Sequence, residues 1–526
     1  MKYRIVITGQ IRTTVESWDF RKLLNQVCCP NFGRVGEEGI REFGAMFFHP
    51  QERDKLEPQI AKFKAACKVP PLIVSDLESG PGDMILGAAR FPHFMGVSQT
   101  GDPDLIYEVG RIAALEAGEL GYNWTFAPVT DLAKDQDGPV VSSRSPGHTP
   151  EYAGRMAAAY MHGLQENGMM ATIKHFPGDG FTSWDQHLTT PVNPLGRAEW
   201  FAGPGSIYRY MIDEGAMAVM PGHIALPAFD DPDERGLYPP ATLSRRLLLD
   251  LLRGELGFEG LIVSDAVEMG GAVGFMNYYD ACAATLENGC DVLLFPRIDE
   301  RFYREMEARL SSGKLTLAAL RDRAARVLAL KEQMGLLSGL PAVVPAMDRV
   351  HSRKIARRVA DACMTVVRDR EGIIPAAIGR NTRILHTVIM NGHGQYGELF
   401  ERLHSELRKR SDHVDQWIDP GPDRLFEAAV EGKYDLILCS IGSQLSYGLN
   451  VVRLHDEVAR NMMGGWTKLG TKIIFVAHFH PFVHKEYEAS IDTIINTYGD
   501  IECSAELLVA KIAGDLPIGR ILRAHD

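Results

Sequence analysis

Polar side chains that can move protons or attack carbon follow several short apolar runs of this sequence. The carboxylates and basic groups in such positions are Asp76, Glu78, Asp131, Lys174, His175, His223 and Asp265. Carboxylates can act as nucleophiles, and imidazoles can act as acid or base near neutral pH. Polar residues at these points also cap helices and bind loop backbone, so position alone leaves both interpretations open.

An aspartate and a histidine stand two residues apart in the segment KHFPGDGFTSWDQH, from Lys174 to His187. Asp185 could fix the ring tautomer of His187, as the carboxylate does in a Ser-His-Asp triad. A lone loop histidine is usually an ordinary surface residue. Here the aspartate partner and the glycines at 178 and 180 favour an acid/base pair on a mobile loop.

The elements that would position these residues alternate between strands and helices up to Leu337. Eight runs predict strands, at residues 3–8, 43–48, 71–75, 123–129, 171–175, 216–220, 260–264 and 291–295. Runs that are apolar almost throughout are typical of parallel strands buried on both faces. Eight β–α units in succession predict an α/β fold with an N-terminal (β/α)8 TIM-type barrel, whose active site would lie at the carboxyl ends of the strands.

A second set of strands and helices begins after a proline-containing interruption. The pattern predicts a barrel at 1–337, a linker at 338–350 and a smaller doubly wound α/β sandwich at 351–526. We expect this second domain to be structural or part of a subunit interface, with a homodimer as one assembly that it could form.

Composition limits the function classes that this chain can have. Of 526 residues, 56 are Lys or Arg and 68 are Asp or Glu, which gives a formal net charge of −12. Binding to nucleic acid or to an anionic membrane needs a concentrated positive surface, so we expect neither partner. No apolar stretch reaches the length of a membrane span, and the amino terminus lacks a secretory pattern. Eight scattered cysteines favour free thiols in a reducing cytoplasm.

The histidines near the end of the chain do not predict a metal site. His478 and His480 would share one face of a strand and His484 follows, but no carboxylate or cysteine at ligand spacing completes a set. We therefore expect no metal and no cofactor.

The Lys174–His187 segment resembles the β-N-acetylglucosaminidase (β-hexosaminidase) branch of glycoside hydrolase family 3, which carries KHFPG followed by an Asp-x-His pair. A second match, PATLSRRLLLDLLRGELGFEGLIVSDAVEM from Pro240 to Met269, resembles the nucleophile segment of that family. Weaker similarities begin at Ser75 (SDLESGPG), Phe126 (FAPVTDL) and Met220 (MPGHIALP). The resemblance spans the predicted barrel.

The resemblance implies that Asp265 attacks the sugar and forms a covalent glycosyl-enzyme, while His187 and Asp185 act as the acid/base pair. It also implies a set of residues that hold the sugar through charge-assisted hydrogen bonds. These residues are Asp76, Arg144, Lys174 and His175. His223 could line the same pocket in an accessory role or only cap a loop.

Three positions depart from the family pattern. Asp179 stands where the family usually has a histidine, and Ser79 where it usually has a glycine. Met84 occupies the position of an arginine that commonly meets the sugar. These changes leave the reaction class intact but could reshape recognition of the 2-acetamido group.

The sequence therefore predicts a retaining exo-β-N-acetylglucosaminidase that hydrolyses terminal β-linked N-acetylglucosamine in short oligosaccharides or cell-wall fragments. Two alternatives use the same residues: a β-glycosidase with another sugar preference, and a phosphorylase, because a neutral imidazole repels phosphate less than a carboxylate would. A third alternative is a non-catalytic sugar-binding barrel. A fourth is a metallohydrolase that uses His175, His187 and His223, although the early strands lack a His-x-His motif.

Overall fold

The structure is a computed structural model that describes residues 2–36, 38–339, 344–390, 397–430, 432–443, 448, 453–454 and 459–520. These residues form two compact units. The first unit comprises the described residues of 1–90, 103–135 and 145–352, and the second those of 91–102, 136–144 and 353–526.

Eight parallel strands form the centre of the first unit. They are β1 (Cys28–Cys29), β2 (Ala45–Phe47), β4 (Leu72–Ser75), β6 (Trp124–Thr125), β7 (Thr172–Phe176), β8 (Ala218–Pro221), β9 (Leu261–Ile262) and β10 (Leu293–Leu294). Two further short strands, β3 (Gln51–Glu52) and β5 (Ile85–Leu86), pair with each other beside this set.

The eight strands are linked in one continuous order. Parallel ladders pair β10 with β1, β2 with β4, β4 with β6, β7 with β8 and β8 with β9. Single parallel bridges then join these groups, from Asn31 to Phe47, from Trp124 to Met170 and from Val263 to Val292. The first unit therefore contains parallel strands whose paired neighbours follow chain order, and the predicted α/β fold with parallel strands is confirmed.

Helices separate these strands along the chain. They are Gly9–Glu16, Phe20–Gln26, Phe32–Val35, Arg53–Ala66, Pro103–Gly118, Pro150–Gln165, Arg197–Ala202, Pro204–Asp213, Arg246–Glu255, Gly270–Val273, Tyr278–Asn288, Glu300–Ser311 and Leu317–Gln333. The last of them is capped by Thr316, whose side chain accepts a hydrogen bond from the N–H of Ala319.

The predicted first strand at residues 3–8 is wrong. Only one bridge forms there, between Arg4 and Glu259, and only Ile5 of the six side chains is buried. The first strand is instead Cys28–Cys29, where both side chains are fully buried. Two residues between two helices make too short an apolar run to be recognised by pattern, whereas the half-exposed amino terminus happens to be rich in β-forming residues.

The second unit contains a seven-stranded sheet. Its strands are β11 (Thr365–Asp369), β12 (Arg383–Ile389), β13 (His413–Ile418), β14 (Leu436–Ile441), β15 (Lys472–Ala477), β16 (Thr493–Asn496) and β17 (Gly519–Arg520). They lie in the order β13-β12-β14-β15-β16-β11-β17, with every pair parallel except β11 with β16. The predicted doubly wound sheet is therefore confirmed.

Helices Phe94–Gln99, Gly397–Arg410, Pro422–Val430 and Ser504–Ala513 belong to this second unit, and Arg349–Cys363 spans the boundary. One cluster of its core is built from buried strand residues such as Leu385, Ile437 and Phe475, closed by Trp466. Of the predicted linker, residues 340–343 lie outside the described residues.

Two observations concern the chain as a whole. Within the described residues, no helix combines the length and the apolar character that crossing a bilayer requires. The eight cysteines, all of them described, form no disulfide, and six are buried.

Candidate active site

The carboxyl ends of four parallel strands, β4, β7, β8 and β9, carry most of the predicted residues. Lys174 and His175 lie in β7, while Asp76 follows β4 directly. His223 comes two residues after β8, and Asp265 comes three residues after β9. Because all of these strands are parallel, their carboxyl ends face the same side. Enzymes with (β/α)8 barrels have their active sites at this end of the strands.

Asp265 is held by the ends of the neighbouring strands. Its N–H donates to the carbonyl of Pro221 at 3.2 Å, and its Oδ1 accepts from the N–H of Ala266 at 2.7 Å. The next helix begins only at Gly270 and has Met269 as its N-cap. The alternative that Asp265 is a helix cap is therefore excluded, and the partly exposed carboxylate is available for chemistry.

Three imidazoles lower the pKa of the Asp265 carboxyl group. Burial alone would raise the pKa of this carboxyl, but His175, His223 and His187, together with the N–H of Ala266, hold the pKa below its usual range. The carboxylate is therefore ionised at neutral pH, as a nucleophile must be.

Asp185 and His187 form the predicted pair. Asp185 Oδ1 lies 2.6 Å from His187 Nδ1 and also accepts the backbone N–H of His187 at 2.8 Å. The Asp185 side chain is fully buried, whereas the imidazole is 30% exposed. The carboxylate thus fixes which ring nitrogen carries the inner proton and directs the opposite nitrogen, Nε2, away from itself.

Lys174 lies between two carboxylates. Its Nζ is 2.9 Å from Asp76 Oδ1 and 2.7 Å from Glu78 Oε1, and its side chain is only 4% exposed. Asp76 is the more exposed of the two acids. The ammonium group therefore orients both carboxylates, and Asp76 presents an acceptor towards the open side.

Asp131 is a site residue to which the sequence assigned no role. It is buried and accepts three hydrogen bonds, from His175 Nδ1 at 2.6 Å, from the His175 N–H at 3.1 Å and from the Asp179 N–H at 2.8 Å. The only sequence signal was its place at the end of FAPVTD, after β6. Asp131 holds the ring of His175 in the same way that Asp185 holds the ring of His187.

His223 is engaged by protein atoms on both sides of its ring. Its Nδ1 lies 2.7 Å from Thr242 Oγ1, and its Nε2 lies 2.9 Å from the carbonyl oxygen of Ala266. The carbonyl can only accept, so the proton sits on Nε2 and the Thr242 hydroxyl donates to Nδ1. Burial lowers the pKa of His223. The ring supports the backbone next to Asp265 through its bond to Ala266.

Arg144 belongs to the second unit. It ends the short 3-10 helix Ser142–Arg144 of the second unit, and its guanidinium donates to the carbonyl of Val140 at 3.1 Å. Its assignment to the sugar site stays a prediction.

Two positions that depart from the family pattern are buried. Asp179 accepts the N–H of Gly180 at 2.7 Å in addition to its contact with Asp131. Met84 directly follows the 3-10 helix Pro81–Asp83 and is 6% exposed. Both residues lie next to elements that carry site residues, which makes them candidates for shaping the sugar pocket.

No three or more His, Cys, Asp or Glu side chains are arranged to hold a metal ion in the part of the chain that the structure describes. In the second unit, His478 is fully buried with Nε2 3.1 Å from Ser440 Oγ, and burial lowers its pKa to about 3. This histidine is part of the core.

Known proteins resemble the chain over most of its length. Residues 34–330 match the glycosyl hydrolase family 3 N terminal domain. A β-N-acetylglucosaminidase/β-glucosidase from Cellulomonas fimi is 30% identical over 96% of this chain and 94% of its own length.

Two solved structures share the fold. A β-glucoside phosphorylase, BglX, superposes with a TM-score of 0.89 at 27% identity, covering 98% of this chain and 97% of its own. A family 3 β-N-acetylglucosaminidase from Paenibacillus sp. str. FPU-7 has a TM-score of 0.79 at 22% identity, covering 95% and 98%. The resemblance inferred from the sequence motifs is confirmed.

Proposed function

Because this chain belongs to glycoside hydrolase family 3 and is a glycosidase, we propose that it is a retaining exo-β-N-acetylglucosaminidase that removes terminal β-linked N-acetylglucosamine from short oligosaccharides or cell-wall fragments. The main support for this proposal is the environment of Asp265. A partly exposed, ionised carboxylate, Asp265, interacts with three imidazoles, of which only His187 is exposed enough to meet a leaving group.

In the first step, Asp265 attacks the anomeric carbon. Its Oδ1 is bound by the Ala266 N–H, so Oδ2 is the attacking atom. The bond from the anomeric carbon to the leaving oxygen breaks, and the His187 imidazolium gives its Nε2 proton to that oxygen. The product is a glycosyl ester of Asp265 and a free alcohol.

In the second step, the neutral His187 takes a proton from water as the water oxygen attacks the same carbon. The ester bond breaks and Asp265 departs as a carboxylate, which its lowered pKa favours. The buried Asp185 stabilises the imidazolium each time that it forms.

The sugar hydroxyls would meet the polar groups beside the nucleophile. Asp76 and Lys174 offer an acceptor and a donor that are already paired with each other at 2.9 Å. His175 is oriented by Asp131. Arg144 is a further proposed sugar ligand. Charged groups that are held in place in this way lose little entropy when they bind hydroxyls.

The catalytic domain in this proposal is the barrel at 1–337, joined through 338–350 to a domain at 351–526 with a structural or subunit-interface role. The substrate is a small glycoside, and no cofactor takes part. Eight cysteines without a disulfide favour a reducing cytoplasm.

Phosphorolysis is the second candidate. It is favoured by the similarity of 98% of the chain to BglX, a β-glucoside phosphorylase, at a TM-score of 0.89. A neutral imidazole carries no charge to repel an incoming phosphate, whereas a carboxylate acid/base would. The same Asp265 ester would then be cleaved by phosphate oxygen to give a sugar 1-phosphate.

A panel of aryl β-glycosides, assayed with and without phosphate, tests these proposals. We expect turnover of the N-acetylglucosaminide to free sugar in phosphate-free buffer. Sugar 1-phosphate formed only with phosphate would identify phosphorolysis instead, and turnover of the glucoside alone would overturn the sugar assignment. Asp265→Asn is the inactive control, and full activity in that variant would contradict the mechanism.

A further inference from the structure

We propose that Gln186, the residue between the two members of the acid/base pair, is a positioning residue that couples the acid/base loop to the nucleophile. The inference rests on the proposed function. Gln186 is fully buried although it stands in a loop between a buried aspartate and a partly exposed histidine. Its side-chain Oε1 accepts the backbone N–H of His223 at 2.8 Å, at the end of β8.

His223 continues this connection to the nucleophile. Its ring Nε2 donates to the carbonyl of Ala266 at 2.9 Å, and the Ala266 N–H is bound by Asp265 Oδ1 at 2.7 Å. Gln186 thus contacts the backbone of the residue whose ring supports Asp265. Three hydrogen bonds, joined through the covalent structure of His223 and Ala266, connect the acid/base loop to the attacking carboxylate.

The loop is also tied to the segment that follows Asp265. The N–H of Gly270 donates to the carbonyl of His187 at 2.8 Å, and the N–H of Gly271 donates to the carbonyl of Gln186 at 3.1 Å. The Thr190 hydroxyl donates to the carbonyl of Gly271 at 2.8 Å. The backbone of the loop that carries His187 is therefore bound to the segment that follows the nucleophile.

Two glycines permit this close approach. A Cβ added at Gly222 would stand 2.8 Å from Gln186 Oε1 and 3.0 Å from His175 Cβ. A Cβ added at Gly271 would stand 2.6 Å from His223 Cβ and 2.9 Å from the carbonyl of Gln186. A side chain at Gly271 would require backbone atoms of the loop to shift, and one at Gly222 would displace the Gln186 side chain. The observed contacts of Gln186 therefore depend on glycine at both places.

The contact has a direct consequence for catalysis. A retaining glycosidase needs its acid and its nucleophile at a set separation across one sugar ring. Displacement of a catalytic group by about 1 Å can cost about 10²-fold in rate. Loss of the Gln186 contact should therefore impair proton donation more than nucleophilic attack, because Asp265 keeps its own bonds to Pro221 and Ala266.

Gln186→Met tests the inference, since methionine is similar in length but its sulfur is only a weak acceptor for the His223 N–H. The measurement is kcat/KM for two aryl glycosides of the sugar that the wild type prefers. Phenol is a poor leaving group that needs the proton from His187, whereas 2,4-dinitrophenol departs without one. We expect the variant to lose about 10²-fold on the phenyl glycoside and less than about 3-fold on the dinitrophenyl glycoside.

Gln165→Met is the matched control. Gln165 also accepts a backbone N–H, that of Met217 at 3.1 Å, but at the amino end of β8. It should leave the ratio between the two substrates unchanged. Thr190→Val is a second test, which removes the more exposed hydrogen bond from the Thr190 hydroxyl to Gly271. We expect a smaller selective loss of kcat/KM on the phenyl glycoside. If Gln186→Met does not fold, Thr190→Val alone tests the positioning role of the loop contacts.

His187→Ala distinguishes a failure of the positioning role of Gln186 from a failure of the proposed function. If it slows the phenyl glycoside selectively while Gln186→Met and Thr190→Val slow both substrates equally or neither, the positioning role is refuted and the proposed function stands. If His187→Ala itself shows no selectivity, the acid/base assignment falls, and the role of Gln186 falls with it.

Discussion

Replacing Asp131 by asparagine should switch the tautomer of His175. The aspartate Oδ1 accepts the N–H groups of His175 and Asp179, at 3.1 and 2.8 Å, while Oδ2 lies 2.6 Å from His175 Nδ1. Asparagine has one acceptor oxygen. If that oxygen keeps the two backbone donors, its amide NH2 faces Nδ1, and the ring must then carry its proton on Nε2.

The expected loss of kcat/KM follows from the hydrogen bond between His175 Nδ1 and Asp131 Oδ2, which the substitution removes. A hydrogen bond to a charged partner contributes about 1.5–3 kcal/mol. At about 1.4 kcal/mol for each factor of ten, kcat/KM should fall about 10- to 150-fold. Because His175 is proposed to hold the sugar and not to donate a proton, phenyl and dinitrophenyl glycosides should lose equally, unlike the pattern expected for Gln186→Met.

The assay is steady-state kinetics on both aryl glycosides, with thermal unfolding to confirm that the variant is folded. Asp299→Asn is the control, because Asp299 accepts a single backbone N–H as the N-cap of Glu300–Ser311 and asparagine caps helices equally well. Wild-type kcat/KM in folded Asp131→Asn would refute the idea that this carboxylate orients His175.

Two further predictions concern stability and pH. Asp291 is fully buried against Arg253, Arg323 and Arg326, so Asp291→Asn should lower the free energy of unfolding by about 3–5 kcal/mol in thermal or denaturant unfolding. Asp322→Asn, which removes an exposed partner of Arg323, should cost less than about 1 kcal/mol, and equal losses would contradict this reasoning. Although burial would raise the pKa of Asp265, the surrounding imidazoles lower it. The acid limb of kcat/KM should therefore lie below pH 3.8, and a limb above about pH 5 would show that the carboxylate is not held ionised.

The stabilisation by Asp291 also has a defined pH dependence. Burial would raise the pKa of this carboxyl, but the three arginines hold it below its usual value. A carboxyl whose pKa is lower in the folded state stabilises the fold above its unfolded pKa, and that contribution is lost as the pH falls through the folded value. The difference in stability between wild type and Asp291→Asn should therefore shrink in acid.

Sequence patterns were sufficient for features that depend on near neighbours. The apolar runs that become strands and the Asp185–His187 pair arise from residues a few positions apart, where spacing determines the contact. Parallel strands also place their carboxyl ends on one side, so the sequence alone assigns Lys174 and Asp265 to one site.

Tertiary structure alone decided the contacts between distant segments. Asp131 reaches His175 across 44 positions, and Gln186 reaches His223 across 37. Neither pair has a periodic signal, because buried donors and acceptors take whichever partner the packed strand ends bring near. The first strand escaped recognition for a related reason: two residues become a strand only when the neighbouring strands supply the hydrogen bonds.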